Sequence, residues 1–125
     1  MPKINRNGIK INYETYGNGP ALFLTHGFSA TSKMWDDQID YLSKYFTLIV
    51  WDMRGHGQTD YPDDENLYNE KETIEDIKEI LNELKIEKAN VGGMSLGGYM
   101  SLAFYCKYPE TVSYTHLTLP TNREV

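Results

Sequence analysis

The chain has 125 residues, 40% apolar and 24% charged, with a formal net charge of −6, which fits one globular domain. No run approaches the roughly 18 unbroken apolar residues of a membrane span. Met1 to Arg6 lacks the apolar core of a secretory signal, Cys106 is the single cysteine and has no internal disulfide partner, and a negative balance opposes nucleic acid, whose phosphates need a basic surface; a cytoplasmic protein without membrane or nucleic-acid partners is expected.

The first predicted element is a hairpin. Lys3–Asn5 and Ile9–Tyr13 alternate apolar and polar residues, and Asn7-Gly8 between them tolerates the positive φ angles of a tight turn. Gly17-Asn18-Gly19-Pro20 breaks the chain. Ala21–Thr25 is then apolar without alternation, as in a strand covered on both faces. Trp35, Ile39, Leu42 and Phe46 recur at helical spacing, predicting a helix over Ser32–Tyr45 with Ser32 as its N-cap.

Thr47–Trp51 is a second apolar strand, and Asp52–Asn69, rich in Gly, Asp and Pro, is a long loop. Over Glu70–Lys85, Ile74, Ile77, Leu81 and Leu84 line one helix face and charged residues the other. Ala89–Gly92 is a third short strand. A helix from Ser95 or Leu96 to Tyr108 follows, and Pro109 closes it; Cys106 on this helix reads as a buried core thiol. Strands alternating with helices after a hairpin predict an α/β fold with parallel strands and flanking helices.

Gly93-Met94-Ser95-Leu96-Gly97 lies between the third strand and this helix. It matches G-x-S-x-G, the sharp turn that holds a serine nucleophile at the top of a sheet. The flanking glycines avoid collisions with strand and helix, and the helix N-terminus favours a developing negative charge. A glycine-rich surface turn with an idle serine explains the stretch less well, because such a turn needs neither bracketing glycine.

Together with Thr25-His26-Gly27-Phe28 and Asp52-Met53-Arg54-Gly55-His56-Gly57-Gln58-Thr59-Asp60, this stretch resembles three successive landmarks of the α/β-hydrolase family. The resemblance covers about residues 5 to 110. It implies Ser95 as nucleophile and an oxyanion hole formed by the backbone N–H groups of Phe28 and Leu96, each commonly worth about 3 kcal/mol in the barrier. It implies that His26 braces a loop, and that Asp52, Arg54 and His56 belong to a structural turn. No cofactor and no metal is implied, and the expected partner is a small acyl substrate.

A serine nucleophile needs a histidine base and an orienting acid, which in this fold follow the serine in that order: acid, then histidine. The resemblance places both far beyond the next strand, so residues 1–111 read as the N-terminal part of an incomplete hydrolase sheet. The sole histidine after Ser95 is His116. Its surroundings, Val112 to Thr121, contain no apolar strand of the expected kind. They can be encoded by gtc-tct-tat-aca-cat-ctg-acg-ctg-ccg-acg, which resembles a transposase adapter used for sequencing libraries. In the same frame an index encodes Asn122, Arg123 and Glu124, and the adapter resumes at Val125. Residues 112–125 therefore read as a non-native tail, and His116 is not expected to be the base. Without further strands, the strand Ala89–Gly92 is expected to expose an unpaired edge, and the chain itself to be inactive and poorly expressed.

The function expected of the intact parent is hydrolysis of esters, lactones or related acyl compounds through an acyl-enzyme. Acyl transfer or carbon–carbon bond hydrolysis would use the same nucleophile, and a non-catalytic ligand-binding protein could keep the fold. The aspartate-nucleophile branches, dehalogenases and epoxide hydrolases, are disfavoured by a serine at position 95.

Overall fold

A computed structural model describes residues 2–118. Six strands form one sheet: β1 (Lys3–Arg6), β2 (Ile9–Tyr16), β3 (Ala21–Thr25), β4 (Thr47–Trp51), β5 (Ala89–Met94) and β6 (Val112–Thr118). Their spatial order is β1-β2-β4-β3-β5-β6. β1, β2 and β4 pair antiparallel, whereas β4, β3, β5 and β6 run parallel. Three helices connect them, α1 (Asp36–Leu42), α2 (Glu70–Glu83) and α3 (Leu96–Lys107). This is the mixed α/β sheet with flanking helices that the alternation of patterns predicts.

Local chemistry explains most boundaries. Asn7 and Gly8 take φ of 53° and 88° and close the β1–β2 hairpin. Asn69 caps α2, its side chain accepting from the Glu72 N–H at 2.8 Å. The expected helix over Ser32–Tyr45 is shorter than its periodicity suggests. Thr31, not Ser32, is the cap, accepting from the Lys33 N–H at 3.1 Å, and Ser32–Trp35 is a 3₁₀ turn before α1 begins. Its apolar face nonetheless packs as expected: Trp35, Ile39, Leu42 and Phe46 cover Leu22, Leu24, Leu48 and Val50 on one side of the sheet. The larger core lies on the other side, where α2 and α3 press Ile77, Ile80 and Phe104 against Phe23, Trp51 and Val91.

Two expectations about the C-terminal end are corrected. Val112–Thr118 does form a strand, and β6 covers the β5 edge that was expected to be open. The segment contains β-branched and aromatic residues (Val112, Tyr114, Thr115), and the open N–H and C=O groups of β5 supply a template for such a sequence. The pairing slips between Ala89↔Val112 and Val91↔Thr115, leaving an extra residue on β6. Cys106 is exposed, because α3 turns Gly97, Met100, Ser101 and Phe104 toward the sheet. Residues 119–125, the rest of the segment read as non-native, lie outside the described residues.

One ion network ties the hairpin to α2 and to the loop after β4. Asp76 sits on the buried face of α2 and is inaccessible to solvent. Its carboxylate accepts two hydrogen bonds from Arg54, at 2.7 and 3.0 Å, and one from Arg6 at 2.7 Å. Glu72 also bonds to Arg6. Removing one member of a buried, hydrogen-bonded charge group leaves the others uncompensated. Asp76→Ala is therefore expected to lower the urea unfolding free energy by about 3–5 kcal/mol, and a loss below about 1 kcal/mol would contradict this role.

Candidate active site

The parallel strands β3, β4 and β5 end side by side, and the segments that leave them converge above the sheet. Ser95 occupies the tip between β5 and α3, at the N-cap position of the helix. Serine normally uses that position to cap with its side chain. Here φ is 57° and ψ is −118°, and the hydroxyl makes no capping bond, although the Ser95 carbonyl accepts from the Tyr99 N–H at 3.0 Å. A non-glycine residue in such a conformation costs on the order of 1–3 kcal/mol. The hydroxyl is consequently free of structural duty.

The bracketing glycines make this turn possible. A Cβ on Gly93 would lie 2.6 Å from the Thr25 carbonyl oxygen, and one on Gly97 would lie 2.6 Å from that of His26. The start of α3 thus rests directly on the end of β3. Gly27 abuts the serine from the other side, since its Cβ would come 3.7 Å from that of Ser95.

Leu96 is the first residue of α3, so its N–H lies outside the intrahelical hydrogen bonds. The Phe28 N–H, in the turn after β3, donates to no acceptor among the described residues. Phe28 and Leu96 both line a cavity of about 210 Å³, with Met53, His56, Tyr68 and Met100. Phe28 and Leu96, the two residues expected from the sequence to supply backbone donors, thus line one cleft. Phe28 is 75% exposed, and its ring meets His56 edge-on with centroids 5.9 Å apart.

Both upstream histidines are committed to backbone. His26 is fully buried; its Nε2 accepts from the Met53 N–H at 3.0 Å, which leaves Nδ1 to donate to the Gly27 carbonyl at 2.7 Å. His56 accepts from the Ser29 N–H at 3.2 Å and donates through Nδ1 to the Arg54 carbonyl at 3.0 Å. Neither ring is left to take a proton from Ser95. His116 lies on β6 opposite Gly92, exposed, and lines a separate cavity beneath α1 with Leu22, Leu24 and Phe46.

Asp52 is buried and structural. Its carboxylate accepts from the Ser32 N–H at 2.7 Å, Asn12 Nδ2 at 2.9 Å and the Gln58 N–H at 3.0 Å. Burial pushes its pKa up, but the Gln58, Ser32 and Asn12 hydrogen bonds outweigh this and hold it below the ordinary range. Asn12 and Asp76, which complete the loop's anchorage, are not evident from any motif. The one available signal is that Asp76 falls in the apolar stripe of α2 between Ile74 and Ile77. Among the described residues, no group of three or more His, Cys, Asp or Glu is arranged to hold a metal ion, and no helix is long and apolar enough to cross a membrane.

Burial lowers the pKa of His26 below its ordinary 6.5, and the bond to Gly27 offsets this only in part. The unfolded chain therefore takes up this proton first on acidification. His26 contributes stability that is complete above the unfolded value and is lost as pH falls below it, with a slope of at most about 1.4 kcal/mol per pH unit. Urea unfolding at pH 7.5 and 5.5 is expected to show a steeper acid loss for the wild type than for His26→Gln; parallel losses would contradict it.

The geometry can be set beside known proteins. Residues 20–122 match the alpha/beta hydrolase fold family. Epoxide hydrolase 3 of Siraitia grosvenorii is 34% identical over 110 residues, 87% of this chain and 35% of that protein. The 3-oxoadipate enol-lactonase 1 of Acinetobacter baylyi is 34% identical over 100 residues, 78% of this chain and 36% of its own. Among solved structures, an N-acyl homoserine lactone degrading enzyme superimposes with a TM-score of 0.88 at 30% identity, over 93% of this chain and 44% of that one. The chain thus spans about a third of the length of the curated relatives it matches.

Proposed function

Because the chain belongs to the alpha/beta hydrolase fold family, we propose that it carries the nucleophile and oxyanion half of a serine hydrolase acting on esters, lactones or related acyl compounds. The observation that carries this reading is the Ser95 hydroxyl, free of any capping bond and held at φ 57° at the start of α3, with Gly27 of the turn after β3 beside it. Ser95 Oγ attacks the acyl carbonyl, and the two N–H groups take the charge that develops on its oxygen. The leaving group departs, and water then cleaves the acyl-enzyme.

The base and the acid are proposed to lie outside residues 1–125. His26 and His56 have both ring nitrogens engaged, and His116 faces another cavity. We further propose that residues 112–125 replace the natural continuation. That they pair with β5 is no objection, since an open strand edge accepts many sequences.

Several relatives are named epoxide hydrolases, but a serine favours acyl chemistry for a covalent reason. Its attack on a carbonyl gives an ester that water cleaves, whereas its attack on an epoxide leaves an ether that water does not. Acyl transfer and carbon–carbon bond hydrolysis begin with the same nucleophile and differ in what enters or leaves next.

The protein expressed from its uninterrupted genomic reading frame is expected to hydrolyse a short p-nitrophenyl ester, and Ser95→Ala to lower kcat by at least about 1,000-fold. The 125-residue chain is expected to show no Ser95-dependent turnover. Turnover unchanged by Ser95→Ala would refute the serine reading, and Ser95-dependent turnover by the short chain would refute the placement of the base.

A further inference from the structure

His26 and His56 stand in a reciprocal arrangement that the family motifs do not assign. His26 leaves β3 and accepts from the Met53 N–H in the loop after β4; His56 leaves that loop and accepts from the Ser29 N–H in the turn after β3. Each ring donates its remaining proton to a carbonyl near its own origin, Gly27 for His26 and Arg54 for His56. The rings pack together with centroids 4.8 Å apart, and the Phe28 ring meets His56 edge-on at 5.9 Å.

These bonds fall on two consecutive peptide planes. In a trans peptide the C=O and the next N–H point in opposite directions within one plane. The Gly27 carbonyl and the Phe28 N–H share the first plane, so the His26 bond to that carbonyl aims the Phe28 N–H the other way. The Ser29 N–H belongs to the second plane, which His56 fixes. Ser29 has φ of 69°, a left-handed conformation that a non-glycine residue keeps only when its surroundings impose it. Among the described residues, the bond to His56 is the one hydrogen bond from Phe28–Ala30 to the loop after β4. Without it, the plane after Phe28 is held only within its own turn, by the Ala30 N–H to the Gly27 carbonyl at 3.1 Å.

We propose that His26 and His56 form a reciprocal clip between the two loops: His26 aims the Phe28 N–H, and His56 is a positioning residue that keeps it aimed at the oxyanion by holding the peptide that follows. This rests on the acyl-hydrolase reading for its catalytic consequence but not for its structural one. His56 does not touch the reacting atoms; it acts through the Ser29 peptide.

Two variants and two readouts test this on the full-length enzyme. His56→Phe keeps the ring packing and loses the acceptor, whereas His56→Gln can still accept from Ser29. In His56→Phe the Ser29 amide is expected to exchange with solvent about ten-fold faster or more, with core amides of β3 and β5 unchanged. Its kcat for the ester is expected to fall about 100-fold with KM within about two-fold, as for a displaced oxyanion donor. His56→Gln is expected to recover most of both. Unaltered Ser29 exchange in His56→Phe overturns the clip whatever the turnover does. A kcat within about two-fold of wild type overturns the positioning role, as does a loss of kcat accompanied by faster exchange throughout the core. If the wild type shows no Ser95-dependent turnover, the acyl-hydrolase reading falls by itself, and Ser29 exchange still decides the clip.

Discussion

The first turn of α3 lies directly against the end of β3, and the whole serine turn is built around that contact. Glycine at positions 93 and 97 lets backbone meet backbone, since a Cβ at either place would fall inside van der Waals distance of the Thr25 or His26 carbonyl. The chain can then reverse from strand to helix within one residue, and that residue, Ser95, takes the left-handed strain. The same contact brings the helix N-terminus beside the turn after β3. A helix end and a free hydroxyl thus meet the turn after β3 because of where side chains are absent.

Holding that convergence in place falls to polar groups that no single loop could satisfy alone. Asp52 gathers hydrogen bonds from β2, from the turn before α1 and from its own loop, while Asp76 anchors the far side of that loop through Arg54. Both carboxylates are buried and fully engaged, which makes them costly to remove and effective at specifying a single loop conformation. The loop after β4 has almost no regular structure, yet it is rigid in the sense that matters: its buried polar atoms define its path. His26 and His56 extend that network to the edge of the cleft.

Elements with strong periodicity were legible before the structure. The hairpin with its Asn7-Gly8 turn, the apolar strands Ala21–Thr25 and Thr47–Trp51, and the amphipathic α2 follow from local pattern, and the serine turn follows from a motif whose glycines have steric reasons. α1 is shorter than its apolar stripe suggests because the stripe begins in a 3₁₀ turn, which shares the helical spacing over one turn without sharing its hydrogen bonds. β6 was missed because an edge strand is decided by its neighbour's open hydrogen bonds as much as by its own residues. Cys106 was placed inside because an apolar-rich helix such as α3 does not announce which face meets the sheet; Tyr99, Leu102 and Tyr105 are exposed beside it. Of the site, the glycine-bracketed turn at Ser95 was readable from its motif, and the roles of Ser95, Phe28 and Leu96 are proposals built on it. The contacts from His56 to Ser29 and from Asp52 to Asn12 were not, because they join residues 27 and 40 positions apart.

Relatives with different named activities share this part of the fold, so the fold alone does not select a substrate. The Ser95 oxygen and the Phe28 and Leu96 N–H groups are proposed to form one acyl-transfer site. A crystal structure of the full-length enzyme after reaction with a fluorophosphonate tests it most directly. Phosphorus is expected to be bonded to Ser95 Oγ, with the phosphoryl oxygen within about 3 Å of both N–H groups. An adduct at another residue, or a phosphoryl oxygen turned away from both donors, would contradict it.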